Sequence, residues 1–212
     1  DDNYLITNDQ GAAGLDAGDE VTWGVGSAEE TAGLIFGTNA FGAFLDALGA
    51  AGDGDTIKVG EGTFLFGGPA LQINSQVTID GLGSDVTEIR RSGGPSGNFD
   101  EMIHINADNV TIQDVHLAWQ DPAASDGQGY VVITYGDATT ISSVLFDGNY
   151  RSAVVLAGSN DSEISDSRFA GLWGRGAIRD ANAGAGERFL ITRNTFEEDH
   201  FRWGPVNFEL GG

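Results

Sequence analysis

Inserts of varying length separate short apolar segments, at 83–101, 120–129, 149–152, 172–176 and 199–204, and all of them except 120–129 contain basic and aromatic residues. Arginine forms paired hydrogen bonds with carboxylates, and the rings of Trp and Tyr present apolar faces on which sugar rings can stack. Because the inserts all follow the same strand of an internal repeat, we expect them to emerge on one side. They predict either a groove for an anionic polysaccharide or loops that only cover the surface. The residues proposed to line the groove are Arg90, Arg91, Tyr150, Arg151, Trp173, Arg175, Arg202 and Trp203.

A second group of candidate ligands lies near the N-terminus, where residues 8–23 are rich in Asp, Asn and Gly. Carboxylate and amide oxygens are the ligands that Ca²⁺ prefers, and glycines allow the tight turns that bring them together. The spacing does not match an EF-hand loop, so a solvated acidic turn is the alternative interpretation. The residues proposed as calcium ligands are Asn8, Asp9, Asp16, Asp19 and Glu20.

The composition limits which partners the protein can bind and in which compartment it works. Thirty-two acidic and ten basic residues give a net charge of −22, which repels nucleic acids and anionic membrane surfaces. The chain has no cysteine, so packing and backbone hydrogen bonds must supply its stability without disulfides. No apolar stretch approaches the length of a membrane span. We therefore expect a secreted or cell-surface protein that binds no nucleic acid, inserts in no membrane and is screened by salt or by divalent cations such as calcium.

Short strand-like segments repeat along the chain. In one series an Ile lies between polar residues, and an aromatic or aliphatic residue follows about five positions later. These isoleucines are Ile79, Ile112, Ile141, Ile164 and Ile191. A second series precedes each copy, and its alternation places one set of residues inward. The predicted inward residues are Leu71 and Ile73, Ile103 and Ile105, Val131 and Ile133, Val154 and Leu156, Ile178, and Val206 and Phe208.

Two repeating strands per period, with no helical pattern between them, exclude a doubly wound α/β sheet. They predict an all-β solenoid of about six or seven rungs that begin near Ile57, in which equivalent residues stack at about 4.8 Å per rung. Phe146, Phe169 and Phe196 are expected to form an aromatic ladder.

The pattern of residues 39–212 resembles the right-handed parallel β-helix, or pectate-lyase-like, superfamily of bacterial-type exported surface proteins. Its first segment, NAFGAFLDALGAAGDGDTIKVGEGTF at 39–64, is similar to the leader of such proteins: an amphipathic helix, a Gly-Asp turn and a first strand. Asn39 can cap the helix, and Phe41, Phe44, Leu45 and Leu48 follow at helical spacing. We expect a capping helix at 39–51 and an N-terminal extension at 1–38.

The resemblance implies polysaccharide chemistry, because lyases and epimerases of this superfamily use a basic residue as a general base. His104 and Arg179, both expected outward on their strands, are the weak candidates for this role. Neither belongs to a recognisable catalytic motif, and His104 can instead bond to Gln72 or Asn106, its expected neighbours. We therefore assign no catalytic residue.

Two functions remain open. The first is a non-catalytic structural or adhesive module, either a segment of a large surface protein or a head-to-tail filament subunit. In a filament, residues 1–37, including NYLIT at 3–7 and GLIFG at 33–37, would pair with the last rung of a neighbour. The second is a polysaccharide lyase, epimerase or hydrolase that uses the loop-bearing face on an anionic glycan.

Overall fold

The protein is an all-β molecule, as predicted, and its strands run mostly in parallel sheets. A computed structural model describes residues 2–5, 14–95, 100–120, 129–173, 175–183, 188–197 and 205–210. Within these residues one α-helix occurs. No helix in the described part of the chain is long and apolar enough to cross a lipid bilayer.

Three parallel sheets contain all but two of the described strands, which are numbered in chain order. Sheet I comprises β1 (Asp2–Leu5), β4 (Ala40–Phe41), β5 (Asp55–Val59), β8 (Val77–Gly81), β11 (Thr111–Gln113), β14 (Thr140–Ser142), β17 (Ser162–Ser165) and β20 (Phe189–Thr192). Sheet II comprises β6 (Gly62–Phe66), β9 (Thr87–Arg91), β12 (His116–Trp119), β15 (Leu145–Tyr150), β18 (Arg168–Trp173) and β21 (Thr195–Glu197). Sheet III comprises β7 (Leu71–Ile73), β10 (Glu101–Ile105), β13 (Tyr130–Thr134), β16 (Ser152–Leu156), β19 (Ile178–Ala183) and β22 (Val206–Leu210).

From β5 onward the described chain visits sheets I, II and III in turn, and each such set of three strands is called a circuit. Each strand pairs in parallel with the strand three positions later, so β5 pairs with β8 and β8 with β11. Six circuits follow from the strand order of the described residues. The prediction of two strands per period is wrong, because the period contains three.

A left-handed non-glycine residue divides each of the last four copies of the isoleucine series into two strands. Asp114, Ser143, Asp166 and Arg193 have φ between 51° and 56° and lie between the strands of sheet I and sheet II. Such backbone angles are uncommon for non-glycine residues and turn the chain sharply. The run VTIQDVHL therefore forms β11 and β12 rather than one strand.

Apolar ladders fill the space between the sheets. In sheet I, Ile79, Ile112 and Ile141 pair in register and are fully buried. In sheet II, Phe146, Phe169 and Phe196 form the predicted aromatic ladder, and adjacent ring centroids lie 5.0 Å apart. Complete burial of one such side chain contributes about 1.5–3 kcal/mol to the free energy of folding, so the ladders are the main source of stability.

Of the two residues of β13 that were predicted to face inward, Val131 lies in the core as predicted, but Ile133 does not. Val132, not Ile133, pairs with Ile103 and Val154 and faces the core. Ile133 lies on the outer face of sheet III, where it packs with Val155. All five residues of β13 are buried, so the run YVVIT has no polar face from which its phase can be read. The other inward assignments for sheet III through Ile178 are confirmed, while the side chain of Phe208 lies outside the described residues.

The N-terminal segment belongs to the same body as the circuits. β1 lies between β4 and β5 in sheet I, where Asn3 pairs with Ile57 and Tyr4 with Ala40. NYLIT was expected outside the repeat, and the described part of it, residues 3–5, lies inside sheet I. Strands β2 (Glu20–Trp23) and β3 (Thr31–Ile35) form an antiparallel hairpin, which packs through Trp23 against Tyr4.

The predicted amphipathic helix is present but shorter than expected, as α1 (Phe44–Ala50). Ala43 is its N-cap, whereas the side chain of Asn39 accepts a hydrogen bond from the Ile35 N–H in a preceding turn. Phe44 and Ala47 face the main core, Leu48 packs against it, and Leu45 is exposed. Residues 40–41 pair with β1 as a strand, which explains why Phe41 is buried outside the helix.

Candidate functional site

The outer face of sheet III carries an exposed polar surface on its first three strands. Gln72 and His104 are neighbours in register, and Ile73 pairs with Ile105. The next outward position lies one residue beyond the end of β7, β10 and β13, and it is occupied by Asn74, Asn106 and Tyr135 respectively. We call Gln72, Asn74, His104, Asn106 and Tyr135 the amide patch.

His104 is held by a carboxylate. Its Nδ1 lies 2.7 Å from Oε1 of Glu101. The two residues are three apart on β10 and would face opposite sides of a regular strand. Met102 and Ile103 are both buried in the core, however, so the alternation shifts by one residue and both polar side chains lie outside. The predicted bond of His104 to Gln72 or Asn106 is wrong, because Glu101 takes that place.

The ring of Tyr135 stacks on His104, with centroids 5.0 Å apart and planes inclined by 24°. Tyr135 is nevertheless 48% exposed. The next residue, Gly136, fixes this position, because a Cβ there would overlap the carbonyl oxygen of Ala107 on the previous circuit. Only glycine permits this approach, which brings the end of β13 close to the turn after β10.

Three amide side chains complete the patch. Nδ2 of Asn106 donates to Oε1 of Gln72 at 3.2 Å and to Oδ1 of Asn74 at 2.9 Å. Within the described residues, Gln72 Nε2, Asn74 Nδ2, Asn106 Oδ1, His104 Nε2 and the Tyr135 hydroxyl make no further hydrogen bond. Because the three amides are exposed, these atoms remain available to a ligand.

Arg91, a predicted groove residue, is buried instead. It is 8% exposed. Its Nε and Nη2 donate to the carbonyl oxygen of Gly68 at 3.1 and 2.8 Å, and its Nη1 donates to Asp100 at 2.9 Å and to the carbonyl oxygen of Glu101. The guanidinium also lies 4.5 Å from the ring centroid of Trp119. Arg91 thus joins neighbouring chain segments and is occupied by these contacts.

Tyr130 brings two other predicted residues together. Its hydroxyl lies 3.2 Å from Nη1 of Arg179, and the Arg151 guanidinium lies 5.8 Å from its ring centroid. Arg179 points outward from sheet III, as predicted, but it is only 9% exposed. Close to it, Ile133 and Val155 form a buried apolar cluster. This half of the outer face is therefore closed, unlike the amide patch.

Comparisons with protein-family models, with curated proteins and with solved structures found no match to this chain.

Arg90 belongs to a separate charged cluster on the outer face of sheet II. Its Nε donates to Oε1 of Glu88 at 2.6 Å. The same Glu88 oxygen lies 3.1 Å from Nδ1 of His116, and His116 Nε2 lies 3.3 Å from Oδ2 of Asp147. This contact with the His116 imidazole lowers the pKa of Asp147 below its ordinary value, against the opposing effect of burial. His116 thereby connects strands β9, β12 and β15.

The remaining groove candidates are only partly placed. Tyr150 and Trp173 pair in register on β15 and β18. The backbone N–H of Arg175 donates to the carbonyl oxygen of Arg151 at 2.8 Å, so these four residues lie on neighbouring circuits. Arg202 and Trp203 lie outside the described residues. Arg90, Tyr150 and Trp173 all lie on strands of sheet II, whereas Arg151 lies between β15 and β16. A glycan-binding groove formed by this set stays a prediction.

The acidic N-terminal segment is described from residue 14 onward, which leaves Asn8 and Asp9 outside. Oδ2 of Asp19 accepts the Asp16 N–H at 2.8 Å in a local turn, and Glu20 begins β2. Among the described residues no group of three or more His, Asp or Glu side chains is placed to hold a metal. Calcium binding stays a prediction.

Glu101, Tyr135 and the three amides were not identified as site residues from the sequence. The adjacent apolar residues Met102 and Ile103 are the signal that could have placed Glu101 beside His104. The position of Tyr135 depends on the register of β13, which the sequence leaves ambiguous.

Proposed function

We propose that the chain is a right-handed parallel β-helix that serves as a non-catalytic structural or adhesive module of a secreted or cell-surface protein. The repeated passage through three parallel sheets supports the solenoid, and parallel crossover connections are right-handed in about 98% of cases. The resemblance of residues 39–212 to the pectate-lyase-like superfamily agrees with this fold. The charge of −22, which salt or divalent cations outside the cell would screen, supports an exported setting.

The observation that supports the structural role is that basic side chains form ion pairs within the fold. Four basic side chains each form an ion pair with a carboxylate of the neighbouring circuit. The pairs are Lys58–Asp80 at 2.5 Å, Arg168–Glu197 at 2.7 Å, and Arg188–Asp161 and Arg193–Asp166, both at 2.6 Å. Exposed pairs stabilise a fold only weakly. Each pair, however, neutralises a basic side chain that would otherwise be free to bind an anionic substrate.

Lys58 illustrates this use. Burial lowers its pKa, but hydrogen bonds to Asp80 and to Glu29 of the hairpin more than offset that effect and raise the pKa to about 12. The ammonium group thus joins β5, β8 and the hairpin.

A polysaccharide lyase, epimerase or hydrolase is the second candidate, favoured by the Glu101–His104 pair. A carboxylate on Nδ1 orients an imidazole so that Nε2 can accept a proton. The test is incubation with alginate, pectate and hyaluronan, with and without calcium, while absorbance near 235 nm reports unsaturated uronates and reducing-end and epimer analyses report the other reactions. We expect no product. A product that is lost in His104→Gln would establish the enzyme instead.

Self-association along the solenoid axis is part of the proposal, as a filament or with neighbouring modules. β1 is paired on both sides in sheet I, so a neighbour could use it only if it left its own sheet. Light scattering at high concentration in calcium-containing buffer tests the association, and a monomer under all conditions would contradict it.

A further inference from the structure

We infer that the amide patch binds a neutral, hydroxyl-rich polysaccharide. This inference rests on the proposal that the protein is an adhesive module and adds its ligand class and its binding surface. It differs from the sequence-based expectation of an anionic glycan held by arginines.

The first step is the chemistry of the available groups. The patch offers amide donors and acceptors, one imidazole nitrogen and one phenol, all without a further partner in the described residues. Hydroxyl groups of a sugar both donate and accept hydrogen bonds, and a few such polar groups fix the orientation of a ligand. Amides serve this purpose without a net charge.

The second step is the aromatic ring. Tyr135 is held by its stack on His104 and by the close approach at Gly136, yet about half of its surface is exposed. A ring that is already ordered loses little conformational entropy when a ligand stacks on it. It offers an apolar face next to the hydrogen-bonding amides.

The third step is charge. The described carboxylates beside the patch are Glu101, which faces His104, and Asp108 and Asp137, which lie two residues beyond Asn106 and Tyr135. Arg91, which bonds to the backbone of Glu101, is buried among Gly68, Asp100 and Trp119. None of these groups can pair with a carboxylate of an incoming polymer, since the carboxylates have the same sign and Arg91 is occupied. The net charge of −22 adds long-range repulsion of polyanions. A neutral polymer avoids both penalties.

The experiment is calorimetric titration and affinity electrophoresis with two neutral probes, mixed-linkage β-glucan and galactomannan, and two acidic ones, alginate and polygalacturonate. We expect binding of at least one neutral probe and of neither acidic probe. Tyr135→Ala and Asn106→Ala should each weaken binding about tenfold, while Tyr135→Trp, which keeps an exposed ring, should retain it. Leu190→Ala, at a 53% exposed position on the outer face of sheet I, is the matched control and should bind like the parent.

Absence of binding to both neutral probes, binding to acidic probes alone, or equal binding by Tyr135→Ala would each overturn the inference. Thermal melting of every variant separates loss of the site from loss of the fold. Reducing-end analysis of the same mixtures distinguishes the proposed non-catalytic role from the proposed binding surface. Cleavage of a bound probe would contradict the non-catalytic role but would leave the binding surface in place.

Discussion

The rings of Phe146 and Phe169 lie parallel, with centroids 5.0 Å and planes 8° apart, on strands of successive circuits. Phe196 continues the stack at the same spacing. Phe169 is therefore in contact on both faces and completely buried. Its removal opens a cavity that neither neighbour can fill without leaving its own register.

We predict that Phe169→Ala lowers the free energy of unfolding by about 3–5 kcal/mol, measured by urea denaturation. Leu190→Ala removes a side chain that is mostly exposed and should change stability by less than about 0.5 kcal/mol. Similar losses in the two variants would mean that the ladder is not the core of the fold.

The isoleucine and phenylalanine ladders could be predicted because their spacing repeats and their flanking residues are polar. The division of the isoleucine series into a separate strand of sheet I and a separate strand of sheet II could not. β9 was included in an insert because its sequence, TEIRR, has one apolar residue, Ile89, among charged ones. The turn at Asp114 was missed because an aspartate in a left-handed conformation carries no unique sequence signal.

The candidate site depended on register, which is why its prediction from the sequence was incomplete. Outward positions for His104 and Arg179 are confirmed, but Glu101 reaches His104 only because two consecutive residues face the core. Arg91 follows Arg90 directly, so the two side chains point in different directions. Arg90 pairs with Glu88 on the outer face, whereas Arg91 is buried and pairs with Asp100.

Deletion of residues 1–5 should destabilise the fold, because it removes the backbone partners of β5 and β4 and the contact of Tyr4 with Trp23. We expect the thermal midpoint to fall by about 5–10 °C. Val25→Ala, at a residue that is 76% exposed on the hairpin, should leave the midpoint unchanged. An unaltered midpoint after the deletion would instead favour a segment that serves a neighbouring molecule.

Calcium should raise the thermal midpoint by binding the acidic N-terminal segment and reducing the repulsion among 32 carboxylates. Sodium chloride at equal ionic strength is the control, since screening alone also stabilises a highly charged protein. Asp16→Asn combined with Asp19→Asn should remove the calcium-specific part of the increase. A calcium effect no larger than that of sodium, or one that survives the double substitution, would exclude a site at these residues.

Acid should weaken the connection among β9, β12 and β15 through Asp147. The contact with the His116 imidazole lowers the pKa of this carboxyl in the folded state, so the unfolded chain takes up its proton first as the pH falls. The stabilisation is therefore complete above the unfolded pKa of about 3.9 and is lost as the pH falls through the lower folded value.

Asp147→Asn should flatten the dependence of the urea midpoint on pH between about 2 and 5, by a modest amount because the side chain is 44% exposed. Glu61→Gln, which neutralises an exposed carboxylate in the turn before β6, serves as the control and should preserve the parent's slope. If Asp147→Asn keeps the parent's slope as well, the ion pair with His116 does not contribute to stability in solution.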